Sequence, residues 1–160
     1  MDILKGTCKE VKIERKVLNN QNEVESIELI RNIDVPSGTR ENDEFFCSQL
    51  GDHIDRNRIP ADIVFVAKNI PHNFFKREGD DIVFTLRMTQ SEANQGGTWT
   101  IPTLDDGLQK KISCKQVPKD YSKRFLKFGL PNKSNKIRGN LIVKAEIEND
   151  VNQGILIIHI

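Results

Sequence analysis

The sequence predicts an all-β protein made of two tandem, small β-sandwich-like domains with short helical turns. Three observations predict this class. Residues 8–18, CKEVKIERKVL, alternate between apolar and polar side chains, which is the period of a half-exposed strand. The run Ile63–Ala67 is short, apolar and rich in β-branched and aromatic residues, as strands are. Glycine turns, such as the one at Gly79, separate strand-like segments.

The first half of the chain contains strands in pairs. Ser26–Leu29 alternates as residues 8–18 do, and the polar turn between the two segments predicts an antiparallel hairpin. Phe45–Cys47 is predicted to be a short third strand. The uninterrupted apolar run at Ile63 predicts a strand that is buried on both faces. Segments on either side of Gly79 predict a second hairpin, because glycine can adopt the positive φ of a tight turn.

The second half follows the same pattern. Residues 88–94 predict a short helix or turn, and Trp99–Ile101 and Lys111–Lys115 predict a hairpin closed by an Asp-Gly turn. Leu141–Ile147 is predicted to be a strand with an apolar inner side. The final segment, Ile155–Ile160, is also apolar and β-prone.

Composition excludes several classes of protein. The net charge is +1 over 160 residues, which argues against the nucleic-acid backbone as the main partner. No apolar run reaches the length of a membrane span, and the first residues lack the apolar core of a secretory signal. Three widely spaced cysteines predict reduced thiols and a cytoplasmic location.

No group of residues predicts catalysis, a metal site or a cofactor. The three histidines are scattered, and no nucleophile, zinc-protease or phosphate-binding motif is present. Asp80 and Asp81 could form a carboxylate pair, but neighbouring strand residues point to opposite faces, which favours a polar turn. Cys47 could be a reactive thiol, although its position beside Phe46 favours packing. We therefore expect that the protein is not an enzyme.

Two features of the first strands have functional interpretations. Val11, Ile13, Ile27 and Leu29 alternate along neighbouring strands, and together with Phe75 they could line a shallow groove that binds an extended peptide by strand addition. The same residues could simply form the core. The basic residues nearby could bind nucleic acid or an acidic peptide, or lie on a solvated strand face: Lys9, Lys12, Arg15 and Lys16.

Long segments of the chain resemble a known family. IPADIVFVAKNIPHNFFKREGDDIVFTLRMTQSEA, followed by TIPTLDDG, GLP and RGNLIVKAEIE, resembles the C-terminal substrate-binding region of DnaJ co-chaperones, the forty-kilodalton heat-shock proteins. The resemblance covers residues 3 to 148. Because no CxxCxGxG repeat is present, the chain is similar to the zinc-free class, type II.

The resemblance implies two β-domains, here residues 1–85 and 86–148, followed by a divergent tail at 149–160. It also implies that the first domain holds unfolded client segments in an apolar groove and receives the acidic tail of the seventy-kilodalton heat-shock chaperone. The implied groove residues are Val11, Ile13, Ile27, Leu29, Phe45, Cys47 and Phe75. The implied tail-binding residues are Lys9 and Lys12.

The sequence departs from the family pattern in ways that limit this expectation. It contains no His-Pro-Asp motif and no Gly/Phe-rich linker, so we expect a fragment that cannot stimulate the partner's ATPase. The tail replaces the family's dimerisation segment, so a homodimer is expected for the full-length protein and not for this chain. The alternative function is that of a β-sandwich scaffold for a specific folded partner or for nucleic acid.

Overall fold

A computed structural model describes residues 2–149, and over that range it contains ten strands and two short helices. The strands are β1 (Thr7–Leu18), β2 (Val24–Val35), β3 (Glu44–Cys47), β4 (Ile63–Val66), β5 (Phe75–Glu78), β6 (Asp81–Thr89), β7 (Gly97–Pro102), β8 (Gln109–Cys114), β9 (Ser122–Phe125) and β10 (Leu141–Glu148). The helices are α1 (Asp2–Lys5) and α2 (Gln90–Gln95). The predicted all-β class is confirmed. The predicted terminal strand Ile155–Ile160, like the tail after Asn149, lies outside the described residues.

The chain divides into two compact units. The first comprises Met1–Pro71 and Pro131–Ile137, and the second comprises His72–Leu130 and Arg138–Ile160. The division assigns β5 and β6 to the second unit, whereas the predicted domain boundary after residue 85 falls within β6 and assigns β5 to the first domain. The units are defined by packing alone, and the domain boundaries remain a prediction.

In the first unit, β1 and β2 form the antiparallel hairpin that alternation predicted, in a sheet of two strands. The turn is held by one side chain: Asn19 Oδ1 accepts hydrogen bonds from the backbone N–H groups of Gln21 and Glu23, each at 2.9 Å. Asn22 completes the turn with a φ of 67°, a value that asparagine tolerates better than most residues. This turn fixes the register that places Ile13 opposite Leu29.

The strands β3 and β4 form a second two-stranded antiparallel sheet in the first unit. The prediction that the Ile63 run is buried on both faces is wrong. Val64 and Val66 are exposed, and so is Phe46, which lies directly opposite Val64. Ile63 and Phe65, on the other face, are half-buried. A strand needs layers on both sides to be enclosed, and this sheet is covered on one side at most.

The second unit contains a four-stranded sheet in the order β5-β6-β10-β9. The predicted hairpin at Gly79 is confirmed: β5 and β6 are antiparallel, and Gly79 has a φ of 65°. The central pair, β6 and β10, is parallel. Its apolar residues form the core of the unit, where Leu141 and Val143 are fully buried and Ile82 is nearly so.

The strands β7 and β8 form the predicted hairpin, and Gly107 has a φ of 74° in its turn. The short helix α2 begins with a capping box: Thr89 Oγ1 accepts from the Glu92 N–H at 3.2 Å, and Glu92 Oε2 accepts from the Thr89 N–H at 2.8 Å. The helix contributes Ala93 to a buried cluster with Met88 and Val117. Trp99 and Tyr121 pack against this cluster.

Candidate peptide-binding surface

One face of the β1–β2 hairpin carries the apolar residues that the sequence singled out. Ile13 pairs with Leu29 in the register, and residues two positions apart on a strand share a face. Val11, Ile13, Ile27 and Leu29 therefore lie on the same face. Arg31, opposite Val11, and Arg15, opposite Ile27, border this group. The surface is an apolar strip with a guanidinium group at each end.

Residues of this strip differ in their exposure. Ile13 is 6% exposed and belongs to the core of the protein, as does Ile33 further along β2. Val11, Ile27 and Leu29 are half-buried, so part of each side chain is accessible to solvent. The strip is thus neither a sealed core nor a fully open surface.

The backbone at the outer edge of β1 is partly occupied. Leu18 N–H donates to the carbonyl oxygen of His53 at 3.1 Å, and His53 N–H donates to the carbonyl oxygen of Lys16 at 2.8 Å. Asp52 Oδ1 accepts from the Lys16 N–H at 2.8 Å. The segment around His53 therefore covers the outer backbone edge of β1 at its C-terminal end, near the hairpin turn.

The outer edge of β2 has no strand partner among the described residues, and Arg31 Nη1 donates to the Ile30 carbonyl oxygen there at 3.0 Å. Within residues 2–149, β1 is the strand that pairs with β2, and no other strand does. Because Lys16 and Leu18 direct their backbone groups away from β2, their partners Ser26 and Val24 direct theirs away from β1. By alternation, Glu28 and every second residue after it also present N–H and C=O groups at this edge. The strand with the open edge is the one that carries Ile27 and Leu29.

The two predicted tail-binding lysines are not brought together. Lys9 pairs with Ile33 and lies on the face of the apolar strip, whereas Lys12 lies on the opposite face. There Lys12 Nζ is 3.0 Å from Glu28 Oε1, and both side chains are more than half exposed. Their spacing of three residues already implies opposite faces of a strand, so the sequence contained this information.

Phe45 and Cys47 share one face of β3, opposite Phe65 and Ile63, and all four are half-buried. Cys47 is a free thiol. Phe46, on the other face of β3, is 69% exposed. The sequence predicted this strand but not which of its faces is exposed, because Phe45, Phe46 and Cys47 are all apolar and show no alternation.

Phe75 lies in β5 of the second unit and is 9% exposed. Its ring is 6.0 Å from that of its cross-strand partner Phe84 and 5.1 Å from the ring of His72. His72 Nδ1 accepts hydrogen bonds from the N–H groups of Phe74 and Phe75, at 3.1 and 3.3 Å. The local contacts of Phe75 are thus those of a core residue, and His72 positions the start of β5.

The polar residues considered for chemistry make structural contacts. Asp81 Oδ1 accepts from the Asn140 backbone N–H at 2.6 Å and from Asn140 Nδ2 at 3.2 Å, which joins β6 to the start of β10. Asp34 accepts a hydrogen bond from the Cys8 thiol and raises its pKa, which keeps the sulfur in its unreactive protonated form. In the described part of the chain, no three histidine, cysteine or acidic residues are grouped as metal ligands. Nor does it contain a helix long and apolar enough to cross a membrane.

These features define an all-β protein with an open strand edge beside a partly exposed apolar strip. A family model described as the DnaJ C-terminal domain matches residues 1–149. The chain therefore belongs to the DnaJ C-terminal domain family, a family of co-chaperones.

Its relatives include members of DnaJ subfamily B, the type II proteins that the sequence resembles. DnaJ homolog subfamily B member 5 from Homo sapiens is 36% identical over 149 residues, which are 91% of this chain and 42% of that protein. DnaJ protein homolog 1 from Drosophila melanogaster is 31% identical over 92% of this chain and 44% of its own length. Protein SIS1 from Saccharomyces cerevisiae is 28% identical over 92% of this chain and 41% of its own length. The chain spans less than half the length of these relatives.

Proposed function

We propose that this chain is the substrate-binding part of a cytoplasmic co-chaperone, and that its first unit holds extended segments of unfolded polypeptides. A single observation carries the proposal. β2 has an edge with no strand partner among the described residues, and the same strand contributes Ile27 and Leu29 to a half-exposed apolar strip. Membership of a co-chaperone family supports it.

The binding mode that suits this geometry is strand addition. A client segment in extended conformation aligns with β2 and exchanges main-chain hydrogen bonds with residues such as Glu28 and Ile30. Every second client side chain then faces the apolar strip and contacts Ile27 and Leu29. Main-chain hydrogen bonds are independent of sequence, which suits a protein that must accept many clients. The strip buries little area, so we expect affinities of roughly micromolar strength.

We further propose that the first unit receives the acidic tail of the seventy-kilodalton heat-shock chaperone. A tail seated on the apolar strip shares a face with Lys9, Arg31 and Arg15, whose side chains can donate charge-assisted hydrogen bonds to its carboxylates. Arg15 and Arg31 each donate one N–H to a backbone carbonyl, that of Gln49 and that of Ile30, and each guanidinium has further donors. Lys12, on the other face, acts only at longer range. Its exposed ion pair with Glu28 contributes less than about 1 kcal/mol and is readily exchanged.

Two NMR titrations of the isotope-labelled chain test this function. An extended peptide rich in leucine and phenylalanine should shift the backbone amides at the open edge of β2, including Glu28 and Ile30. An acidic peptide with the sequence of the partner's tail should shift the residues around Lys9 and Arg31. Amide shifts confined to the second unit in both titrations would contradict the proposal.

A further inference from the structure

A second region of the chain, residues 109–128, has a charge unlike that of the whole. It contains seven basic residues and one acidic residue, Asp120, and so has a net charge of +6, whereas the complete chain has +1. The basic residues are Lys110, Lys111, Lys115, Lys119, Lys123, Arg124 and Lys127. The proposed client-binding function makes no use of this region, which lies entirely in the second unit.

The fold brings part of this basic region together around β9. Lys110 Nζ, on β8, lies 3.9 Å from the centre of the Phe128 ring and 6.0 Å from that of Phe125. The first of these distances is within the range of a cation–π interaction, and the second is at its limit. Lys110 is therefore held beside the end of β9, over the rings of Phe125 and Phe128. Lys123, Arg124 and Lys127 are all exposed.

Among the described residues, no carboxylate neutralises the cations on and after β9. Within residues 2–149, no carboxylate forms an ion pair with Lys123, Arg124 or Lys127. By contrast, Arg138 pairs with Asp105 at 2.8 Å and Arg87 with Glu146 at 3.0 Å elsewhere in the same unit. The region around β9 thus keeps an uncompensated positive charge.

The backbone of β9 is also available. It is the terminal strand of the sheet, paired with β10 on one side and with no strand on the other within the described residues. Ala145 N–H donates to the carbonyl oxygen of Tyr121 at 3.1 Å, so the backbone groups of Tyr121 point toward β10. Backbone N–H and C=O groups alternate in direction along a strand, so those of Lys123 also point toward β10. Those of Ser122 and Arg124 point away from β10, to the edge that has no strand partner.

We propose that β9 is a second docking site, and that it binds an acidic polypeptide segment in extended conformation. The segment adds to the sheet as a strand beside β9, and its main chain exchanges hydrogen bonds with Ser122 and Arg124. Its carboxylates on the face of Arg124 lie near that guanidinium, whereas Lys123, which points to the opposite face, and Lys127 act at longer range. Positive charge on an edge strand ordinarily prevents pairing with neutral or basic strands. The same charge attracts an acidic strand, so it selects which segments can dock.

A polypeptide fits this site better than a nucleic acid does. The open edge offers an alternating row of N–H and C=O groups, which a peptide backbone matches and a phosphate backbone does not. The rest of the chain carries more acidic than basic residues, which opposes the long-range attraction that nucleic-acid binding requires. The ligand is therefore an acidic extended peptide, and a nucleic acid is the competing outcome.

The test uses a short fluorescein-labelled peptide of alternating glutamate and valine, measured by fluorescence anisotropy. To keep the probe from the first unit, the experiment is run on the chain with the substitution Leu29→Asp as well as on the unchanged chain. We expect binding in both, weakened by added salt because exposed charges are screened. Reversing one contacting charge by Arg124→Glu should weaken binding by roughly tenfold.

Two further variants separate strand addition from simple charge attraction. Ser122→Pro removes an outward N–H without changing the charge, and proline is tolerated where that N–H faces solvent on an edge strand. It should weaken binding several-fold, while circular dichroism shows that the sheet is retained. Lys76→Glu is the matched control: it reverses an exposed charge on β5, at the opposite edge of the same sheet, and should leave binding unchanged.

Several results would overturn the proposal. The site is wrong if the probe does not bind, if Lys76→Glu weakens binding as much as Arg124→Glu, or if binding is lost in the Leu29→Asp chain. Strand addition is wrong if Ser122→Pro, correctly folded, binds as well as the unchanged chain. A single-stranded oligonucleotide of equal charge that displaces the peptide at lower concentration would assign the surface to nucleic acid. Client binding by the first unit is measured separately, so either proposal can fail alone.

Discussion

Ile13 lies directly opposite Leu29 in the β1–β2 hairpin, yet the two residues have different surroundings. Ile13 is 6% exposed, whereas Leu29 remains half-buried. The apolar strip of the first unit is thus anchored at Ile13, whereas its two residues on β2 remain accessible. The accessible side coincides with the open edge of the hairpin, and the predictions about client binding depend on this coincidence.

Leu29→Asp should weaken the binding of an extended apolar client peptide by about tenfold or more. A carboxylate placed against an apolar client side chain loses hydration, at a cost of at least about 1.4 kcal/mol. Ile70→Asp is the matched control, because Ile70 is 90% exposed, belongs to the same unit and lies outside the hairpin. Fluorescence anisotropy with a labelled client peptide makes the comparison. Equal losses in the two variants would show that the apolar strip is not the binding surface.

Local patterns in the sequence predicted most of the hairpins. The alternation of apolar and polar residues in 8–18 and in Ser26–Leu29 was sufficient to predict β1 and β2. In a half-exposed strand, successive side chains point alternately to the core and to solvent, so the sequence alternates with them. The turn glycines Gly79 and Gly107 marked two more hairpins correctly. Each of these pairings joins segments that are close in the chain.

Non-local features could not be predicted in the same way. The parallel pairing of β6 with β10 joins Ile82 to Leu141, and no local pattern specifies a partner so far along the chain. The exposure of Val64 and Val66 was missed for a related reason. An apolar run shows that a strand could be covered on both sides, but it does not show how many layers the fold supplies.

Ile13→Ala should lower the free energy of unfolding by about 2–4 kcal/mol, because it leaves a cavity under the hairpin. Ile30→Ala, at an exposed position, should change it by no more than about 0.5 kcal/mol. Urea denaturation followed by circular dichroism measures both values. The burial of Ile13 also means that a charged substitution there tests folding more than binding. A loss below about 1 kcal/mol for Ile13→Ala would show that the hairpin is not anchored by this residue.

Gly139→Ala should destabilise the second unit by about 1–3 kcal/mol or more, because an added Cβ at this position meets the backbone of Asp80. The backbone around it is fixed: Gly139 N–H donates to Leu130 and Gly129 N–H donates to Gly139, each at 2.9 Å. Gly107→Ala is the control, since a Cβ there meets only open space and the positive φ alone costs about 1–2 kcal/mol. Thermal denaturation should rank Gly139→Ala as the more damaging variant. The reverse ranking would mean that the Asp80 backbone moves aside.

Lys133→Ala should lower stability at neutral pH and have little effect in acid. The Lys133 ammonium, 2.8 Å from Asp43 Oδ2, holds the pKa of that carboxyl below its ordinary value of 3.8, and the Arg40 N–H contributes to the same effect. A lowered pKa stabilises the fold above the unfolded-state value, and this stabilisation is lost as the pH falls through the folded-state value. Denaturation curves of the two chains should therefore converge below about pH 4. Lys12→Ala, which removes an exposed ion pair, is the control and should cost less than about 1 kcal/mol at any pH.

The pKa of Tyr121 can be measured without ambiguity, because this is the single tyrosine of the chain. Burial against the Met88 cluster and a hydrogen bond with the Cys114 thiol raise the pKa of Tyr121 from 10.0 to about 12. The neutral phenol is thus the form that the folded protein stabilises. This contribution is complete below pH 10, the value for the unfolded chain, and is lost as the pH rises from 10 to about 12. The ultraviolet absorbance of tyrosinate should follow the ionisation, and Cys114→Ala should lower its midpoint by removing the hydrogen bond and the charge of the thiolate. A midpoint near 10 in a chain whose circular dichroism remains native would show that Tyr121 is not packed against Cys114.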